Sequence, residues 1–154
     1  MLAGNSLATA LHSGFDAFDN LARNVFVDPA GREFYQEWER AAHSCVAELR
    51  AAYGHDPESA RIAEVVAELS DAGEEFTALW QLHEVKSKSQ ERKHLRHPDV
   101  GDLHIAFAAF TVNGAPHQQL VVYRAEPASP TAAAFETLRA LGTEPKKAGA
   151  TAHL

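Results

Sequence analysis

Hydrophobic positions recur every three or four residues through most of the first half of the chain, a spacing that predicts amphipathic helices. The longest stripe follows Asp28-Pro29, which supplies a side-chain N-cap and a favourable first helical residue, and it stops at Gly54. Its apolar members are Phe34, Trp38, Ala41, Cys45, Val46, Leu49 and Tyr53. We expect one long helix here, preceded by helices over residues 6–12 and 15–26.

Shorter helices are expected after the long one. Residues 62–69 repeat the same apolar spacing, and a short helix follows them over residues 74–80. Asp71 and Glu74 stand three residues apart and are suited to form a capping box at its start. Ser129-Pro130 again combines a side-chain acceptor with proline, so a closing helix is expected over residues 129–141.

Around residue 85 the pattern of hydrophobic positions changes, and from there it indicates a sheet. Residues 85–90 are polar and suit either an edge strand or a loop. Residues 97–101 read as a turn, and 103–112 alternate with apolar groups on both sides, which predicts a strand covered on both faces. Asn113-Gly114 then opens a hairpin that returns as a second strand over residues 119–125.

Composition narrows the classes of protein to which this chain can belong. The 154 residues suit one domain, and 14 Lys+Arg against 21 Asp+Glu give a net charge of −7, which argues against direct binding to nucleic acid. The single Cys45 cannot form an intramolecular disulfide, which fits a reducing cytoplasm. No apolar run is long enough to predict a membrane span or a secretion signal.

Catalytic and metal-binding signatures are missing from the sequence. His94 and His97 are three residues apart, but they fall in a strand and turn instead of a helix, and no further ligand accompanies them. Cys45 lies on the apolar helix stripe, where a buried structural thiol is the usual case. No nucleophile elbow or glycine-rich phosphate loop is present. We expect no enzymatic activity, cofactor or metal.

Aromatic residues from several elements are expected to face inward. Periodicity alone favours an ordinary mixed core, and the alternative is a core in which some aromatic side chains line a cavity. His83 lies one turn past Leu79 and Trp80, so it is either a hydrogen-bonded core residue or a polar group presented to that cavity. The inward-facing aromatic set is Phe34, Trp38, Phe76, Trp80, Phe107, Phe110 and Tyr123.

A series of short motifs in a fixed order resembles the MmyB-like transcription-regulator ligand-binding domain. The resemblance covers about residues 3–141, almost the whole chain. The motifs are Arg23-Asn24, Phe26, Asp28-Pro29, Arg32, Trp38-Glu39, Glu68-Leu69-Ser70, Glu75-Phe76, Leu79-Trp80, His83-Glu84-Val85, Lys93, His97-Pro98-Asp99-Val100-Gly101, Gln119-Leu120-Val121-Val122-Tyr123 and Ala125-Glu126-Pro127.

This resemblance implies an α+β, PAS-like fold in which several helices pack on an antiparallel sheet and enclose a pocket. It also implies a cytoplasmic bacterial regulator of the XRE type, whose pocket takes small, largely apolar molecules such as fatty acids. Too few residues precede Arg23 to hold a helix-turn-helix domain, so that domain is expected to be absent from this chain and the first sheet strand to be incomplete. Residues 1–141 are then the ligand-binding domain and 142–154 a flexible tail.

The leading hypothesis is a small-molecule sensor without membrane association, which contacts DNA only through a domain outside this chain. The alternative is a dimerisation or partner-binding module, in which the same aromatics fill the core and an exposed apolar face pairs two subunits into a homodimer. The residues assigned to the ligand are Trp38, Trp80, Phe107, Phe110 and Tyr123 as lining, with His83, Arg23 and Tyr123 as candidates for a polar head group.

Overall fold

The computed structural model describes residues 2–82 and 92–143. The predicted α+β class, with helices packed on an antiparallel sheet, is confirmed in this part of the chain. The predicted strand or loop at 85–90 lies outside it. The elements in order are α1 (Ser6–Leu11), α2 (Leu21–Phe26), α3 (Ala30–Phe34), α4 (Trp38–His55), α5 (Ala60–Ala72), α6 (Glu74–Gln81), β1 (Arg92–His97), β2 (Gly101–Val112), β3 (Ala115–Arg124) and α7 (Pro130–Thr143).

The strands form one antiparallel sheet in the order β1-β2-β3. Pairing places Leu95 opposite Leu103 in the first ladder and Phe107 opposite Tyr123 in the second. The turn predicted at 97–101 is confirmed as the connection between β1 and β2. Its Gly101 has a φ of 75°, in the left-handed region that glycine adopts without steric cost.

Local capping residues start the first and last helices. The Asn5 side chain accepts a hydrogen bond from Ala8 N at 2.8 Å and caps α1. At the other end of the chain, Pro130 is the first residue of α7, and Ser129 Oγ accepts a hydrogen bond from Ala132 N at 3.1 Å. The predicted start of the closing helix is therefore confirmed.

The single long helix expected after Asp28 is wrong, because the chain divides it into α3 and α4. Tyr35 between them is extended and forms an isolated antiparallel bridge with Leu95 of β1. The next residue, Gln36, donates its backbone N–H to the His94 carbonyl at 3.2 Å. Pairing with the sheet thus replaces helical hydrogen bonds at this point, which periodicity cannot reveal.

Two further helix predictions are wrong at their boundaries. Residues 15–26 are helical only from Leu21, where the Asn20 side chain accepts a hydrogen bond from Ala22 N at 2.9 Å and caps α2. The expected capping box before α6 does not form, because Asp71 lies inside α5.

The expectation that β2 is covered on both faces is also wrong. Leu103 and Ile105, on the face toward the helices, are fully buried. Phe110 on the opposite face is 55% exposed, and its cross-strand partner Leu120 is 58% exposed. Apolar residues on both sides of a strand therefore do not establish that both sides are covered.

The buried residues form two adjoining clusters. Phe26 and Leu79 pack against both clusters, so the interior is continuous. None of the helices in the described ranges is long and apolar enough to cross a membrane. The first cluster includes Leu11, Phe34, Leu95, Leu103, Ile105 and Leu138, from α1, α3, the sheet and α7, and the second consists of Ala22, Val46, Val65, Leu69 and Phe76, from α2, α4, α5 and α6.

Candidate functional site

The chain between α3 and α4 runs beside the edge strand β1. Besides the bridge from Tyr35 to Leu95, the Arg40 guanidinium donates a hydrogen bond to the Arg92 carbonyl. These contacts hold the first turns of α4 next to the sheet. Side chains from α4 and from the helix-facing side of the sheet therefore come close together.

Three partly buried side chains meet on the helix-facing side of the sheet. Lys93 of β1 donates a hydrogen bond from Nζ to the Tyr123 hydroxyl at 3.1 Å. The same Nζ lies 5.0 Å from the ring centroid of Phe107 and 5.2 Å from that of Tyr123, within the range of cation–π attraction. We call Lys93, Phe107 and Tyr123 the sheet site. The structure thus brings together two of the residues predicted to line a pocket.

Two groups that interact electrostatically with the sheet site, Cys45 and Tyr35, are neutral. Burial raises the pKa of the Cys45 thiol to about 12, with a further rise from Glu48 and an opposing effect from Lys93. Burial also raises the pKa of Tyr35, and interaction with Tyr123 adds to the rise. Both residues are therefore protonated at neutral pH, and neither supplies a negative charge to Lys93.

Trp38, a predicted lining residue, begins α4 and is held from several sides. Its Nε1 donates a hydrogen bond to the Val25 carbonyl at 2.8 Å, and its ring lies 5.7 Å from Phe26 in an edge-to-face arrangement. The guanidinium carbon of Arg32 lies 3.4 Å from the centroid of the Trp38 ring, and Arg32 also pairs with Glu75. Trp38 is half-buried and packs against the first cluster, as Tyr123 also does.

Trp80 packs instead against the second cluster. Its ring stacks on Phe76 with a centroid distance of 5.7 Å and is met edge-on by Tyr53 at 6.2 Å. The Arg50 guanidinium lies 4.8 Å from the Trp80 ring centroid and donates to the Trp80 carbonyl. These contacts are those of a packed residue between α4 and α6.

Within the described ranges, two open surface clefts lie among the helices and the segments that connect them. One is lined by residues 32 and 35–40 and therefore includes Trp38, and the other is lined by residues between 70 and 81. Neither cleft includes the sheet site. The enclosed pocket implied by the resemblance stays a prediction.

Arg23, a candidate for the polar head group, is already engaged by two carboxylates. Its Nε and Nη2 donate to Glu68 at 2.8 and 2.6 Å, and its Nη1 donates to Asp19 at 2.6 Å. The hydrogen bonds to Glu68 raise the pKa of Arg23. The observed contacts tie α2 to α5, and a role in ligand binding stays a prediction.

The remaining two predicted residues are not part of the sheet site. Phe110 points away from the helices and is 55% exposed, so the expected inward orientation is wrong for this residue. The reason is the alternation along β2, which places Phe107 and Phe110 on opposite faces of the sheet. His83 lies outside the described residues, and its assignment stays a prediction.

His97, which the sequence analysis rejects as a metal ligand, is a buried structural residue. It is 1% exposed, and its Nε2 lies 3.1 Å from the Ala10 carbonyl. Its Nδ1 accepts a hydrogen bond from Asp99 N at 3.1 Å, so the neutral form with the proton on Nε2 satisfies both contacts. His97 thereby links the β1–β2 turn to α1.

His12 is a second buried imidazole, and its burial is not evident from the sequence pattern. Its Nδ1 donates to the Ala8 carbonyl at 2.9 Å, and its ring stacks on Phe18 with a centroid distance of 4.0 Å. Burial lowers the pKa of His12 to about 4, helped by Lys93 and His97 and opposed by the hydrogen bond to Ala8. The imidazole is therefore neutral at physiological pH.

His94 does not join His97 to form a metal site. It lies opposite His104 in the β1–β2 register and stacks on it at a centroid distance of 4.3 Å. Over the described ranges, no three His, Cys, Asp or Glu side chains converge in a way that would hold a metal ion.

Lys93 is the member of the sheet site that sequence reasoning missed as a binding residue. It stands in a basic stretch, which suggests a solvated segment. The available signal was alternation: Lys93, Leu95 and His97 share one face of β1, and the last two are buried. A lysine in line with buried residues is therefore directed toward the helices.

A family model described as "MmyB-like transcription regulator ligand binding domain" matches residues 1–138. The predicted resemblance is confirmed by this match. Searches among curated proteins and among solved structures found no significant match.

Proposed function

Because the chain belongs to the family of MmyB-like transcription regulator ligand-binding domains, we propose that it is the ligand-sensing domain of a bacterial transcription regulator. Its proposed ligand is a small, largely apolar molecule such as a fatty acid. The match over residues 1–138 of 154 is the observation that carries this proposal.

The packing between sheet and helices supports an apolar ligand. Phe107 and Tyr123 present aromatic surface toward the helices, and the Cys45 and Tyr35 side chains beside them are neutral. A ligand in contact with these groups, and with Trp38 of α4, would bridge the sheet and the helical layer. Ligand binding there would shift the regulator between states if one packing of the two layers binds more tightly than the other.

Contact with DNA is assigned in this proposal to another domain of the regulator, of the XRE helix-turn-helix type. A net charge of −7 disfavours phosphate binding by the ligand-binding domain itself. We further propose that the domain has a PAS-like topology, is cytoplasmic and carries out no catalysis, so that its output is a change of conformation or assembly.

Thermal denaturation with apolar probes tests the ligand-sensing function. A ligand that binds only the folded state stabilises it by about 2.7 kcal/mol at 100 times its Kd. For a domain of this size, that gain corresponds to a rise in Tm of about 5 to 10 °C. Dodecanoate, tetradecanoate and neutral compounds of equal chain length should include at least one that produces such a rise. A flat response across all of them would contradict the proposal.

The exposed hairpin supports homodimerisation as a second candidate function. Phe110, Leu120 and Val122 lie on one face of β2 and β3 and are all exposed, and Val121 on the other face is 47% exposed. Contiguous apolar surface of this kind is typical of contacts between subunits. Sedimentation velocity should then show a dimer that Leu120→Glu dissociates, while the ligand response persists. A monomer at all concentrations would contradict it.

A further inference from the structure

Lys93 occupies a position in β1 at which an apolar residue would be ordinary. It pairs in register with Ile105, which is fully buried, and it shares its face of the strand with buried Leu95. Its side chain is therefore directed between the sheet and the helices instead of into solvent. Its neighbours in β1, Arg92 and His94, lie on the opposite face.

The ammonium group has no anionic partner among residues 2–82 and 92–143. Its contacts are the Tyr123 hydroxyl at 3.1 Å and the ring faces of Phe107 and Tyr123. Five arginines in these ranges do pair with a carboxylate: Arg23, Arg32, Arg40, Arg96 and Arg139. Arg50 resembles Lys93 in contacting an aromatic ring, that of Trp80, but its guanidinium also donates to the Trp80 carbonyl.

The surroundings favour an anion from outside the protein. Tyr35, Cys45 and His12 interact with the sheet site and are neutral at physiological pH, for the reasons of burial given above. A partly buried cation without a counter-charge is costly, and its attraction for an anion is stronger there than in water. The hydroxyl and the two rings fix the ammonium in place without neutralising it.

We propose that Lys93 is a specificity-determining residue that binds the anionic head group of a single-chain amphiphile and makes the domain select acids over neutral molecules of the same length. The inference rests on the proposed ligand-sensing function. Tyr123 positions the Lys93 ammonium through its hydroxyl, and the apolar chain of the ligand extends along the aromatic surface.

Calorimetric titration with dodecanoate and dodecan-1-ol separates the charge from the apolar contacts. The wild-type domain should prefer dodecanoate by about ten-fold to one hundred-fold, the range expected for a hydrogen bond between charged groups. Lys93→Met should remove this preference and leave the affinity for dodecan-1-ol within about two-fold, since the removed interaction involves the charge. Lys93→Arg should retain most of the preference.

Matched variants keep the result interpretable. Arg92→Met removes a positive charge from the neighbouring residue on the other face and should leave the preference intact. Tyr123→Phe keeps the ring but removes the hydroxyl, and it should reduce the preference without abolishing it. An undiminished preference in Lys93→Met, or an equal loss in Arg92→Met, would overturn the role of Lys93 while leaving ligand sensing in place. Failure of both compounds to bind the wild-type domain would overturn the proposed function as well.

Discussion

Acidification should destabilise the domain through His12, and the variant His12→Phe should remove that effect. Burial lowers the pKa of His12 from 6.5 to about 4 in the folded state. Between these values the unfolded chain binds a proton that the folded chain does not. The stability conferred by this group is therefore complete above pH 6.5 and is lost progressively as the pH falls toward 4.

The size of the effect follows from the two pKa values. Linkage with values of 6.5 and about 4 makes the His12 contribution about 2 kcal/mol less favourable at pH 5 than at pH 7. His12→Phe keeps a ring for stacking on Phe18 and leaves the Ala8 carbonyl its backbone donor, the His12 N–H at 3.3 Å. The substitution therefore removes the titration with little other change.

Urea denaturation at pH 7 and pH 5 measures this contribution. Other titrating groups contribute equally to both proteins, so the quantity of interest is the pH-dependent loss in the wild type minus the loss in His12→Phe. We expect a difference of about 2 kcal/mol with unchanged m-values. A difference below about 0.5 kcal/mol, the usual scatter of such comparisons, would contradict a buried neutral imidazole at this position.

Two further comparisons test the packing of the helices. A Cβ on Gly31 would overlap the Asn24 carbonyl oxygen, so Gly31→Ala should lower the free energy of unfolding in urea by about 1 to 3 kcal/mol or more. Gly54 lies in open space near the end of α4, so the control Gly54→Ala should raise it by about 0.5 to 1 kcal/mol. Equal effects would contradict the close approach of α3 to α2. Trp38→Leu should change ligand affinity more than Trp80→Leu does. Trp80→Leu should mainly lower the free energy of unfolding, by less than a truncation to alanine, which costs about 3 to 5 kcal/mol. An unchanged affinity in folded Trp38→Leu would remove Trp38 from the ligand site.

Features set by local chemistry could be predicted from the sequence. The Ser129-Pro130 start of α7 and the turn at 97–101 depend on neighbouring residues alone, and both are confirmed. The break at Tyr35 depends on Leu95, which is distant in sequence, and the helical spacing of Phe34 and Trp38 continues undisturbed across it. Periodicity therefore cannot show that the helix is interrupted.

The candidate site was only partly predictable for similar reasons. The sequence pattern predicts that Phe107 and Tyr123 face inward. The two side chains do meet, because the antiparallel register places them directly opposite each other. Phe110 satisfied the same apolar criterion but lies on the other face. The charge of Lys93 and its position in a basic stretch indicate a solvated residue, whereas its place in the alternation of β1 directs it toward the helices. Charge and periodicity gave opposite indications at this residue, and the structure follows periodicity.

Native mass spectrometry of the domain with added tetradecanoate tests the central claim, ligand sensing, most directly. The protein as isolated is extracted with organic solvent first, so that any molecule carried from the cell is identified separately. We expect one molecule to bind per protein chain, either retained from the cell or taken up from tetradecanoate at low micromolar concentration. A protein that carries nothing on isolation, and takes up neither tetradecanoate nor a neutral molecule of equal length, would contradict the assignment of this domain as a sensor of apolar molecules.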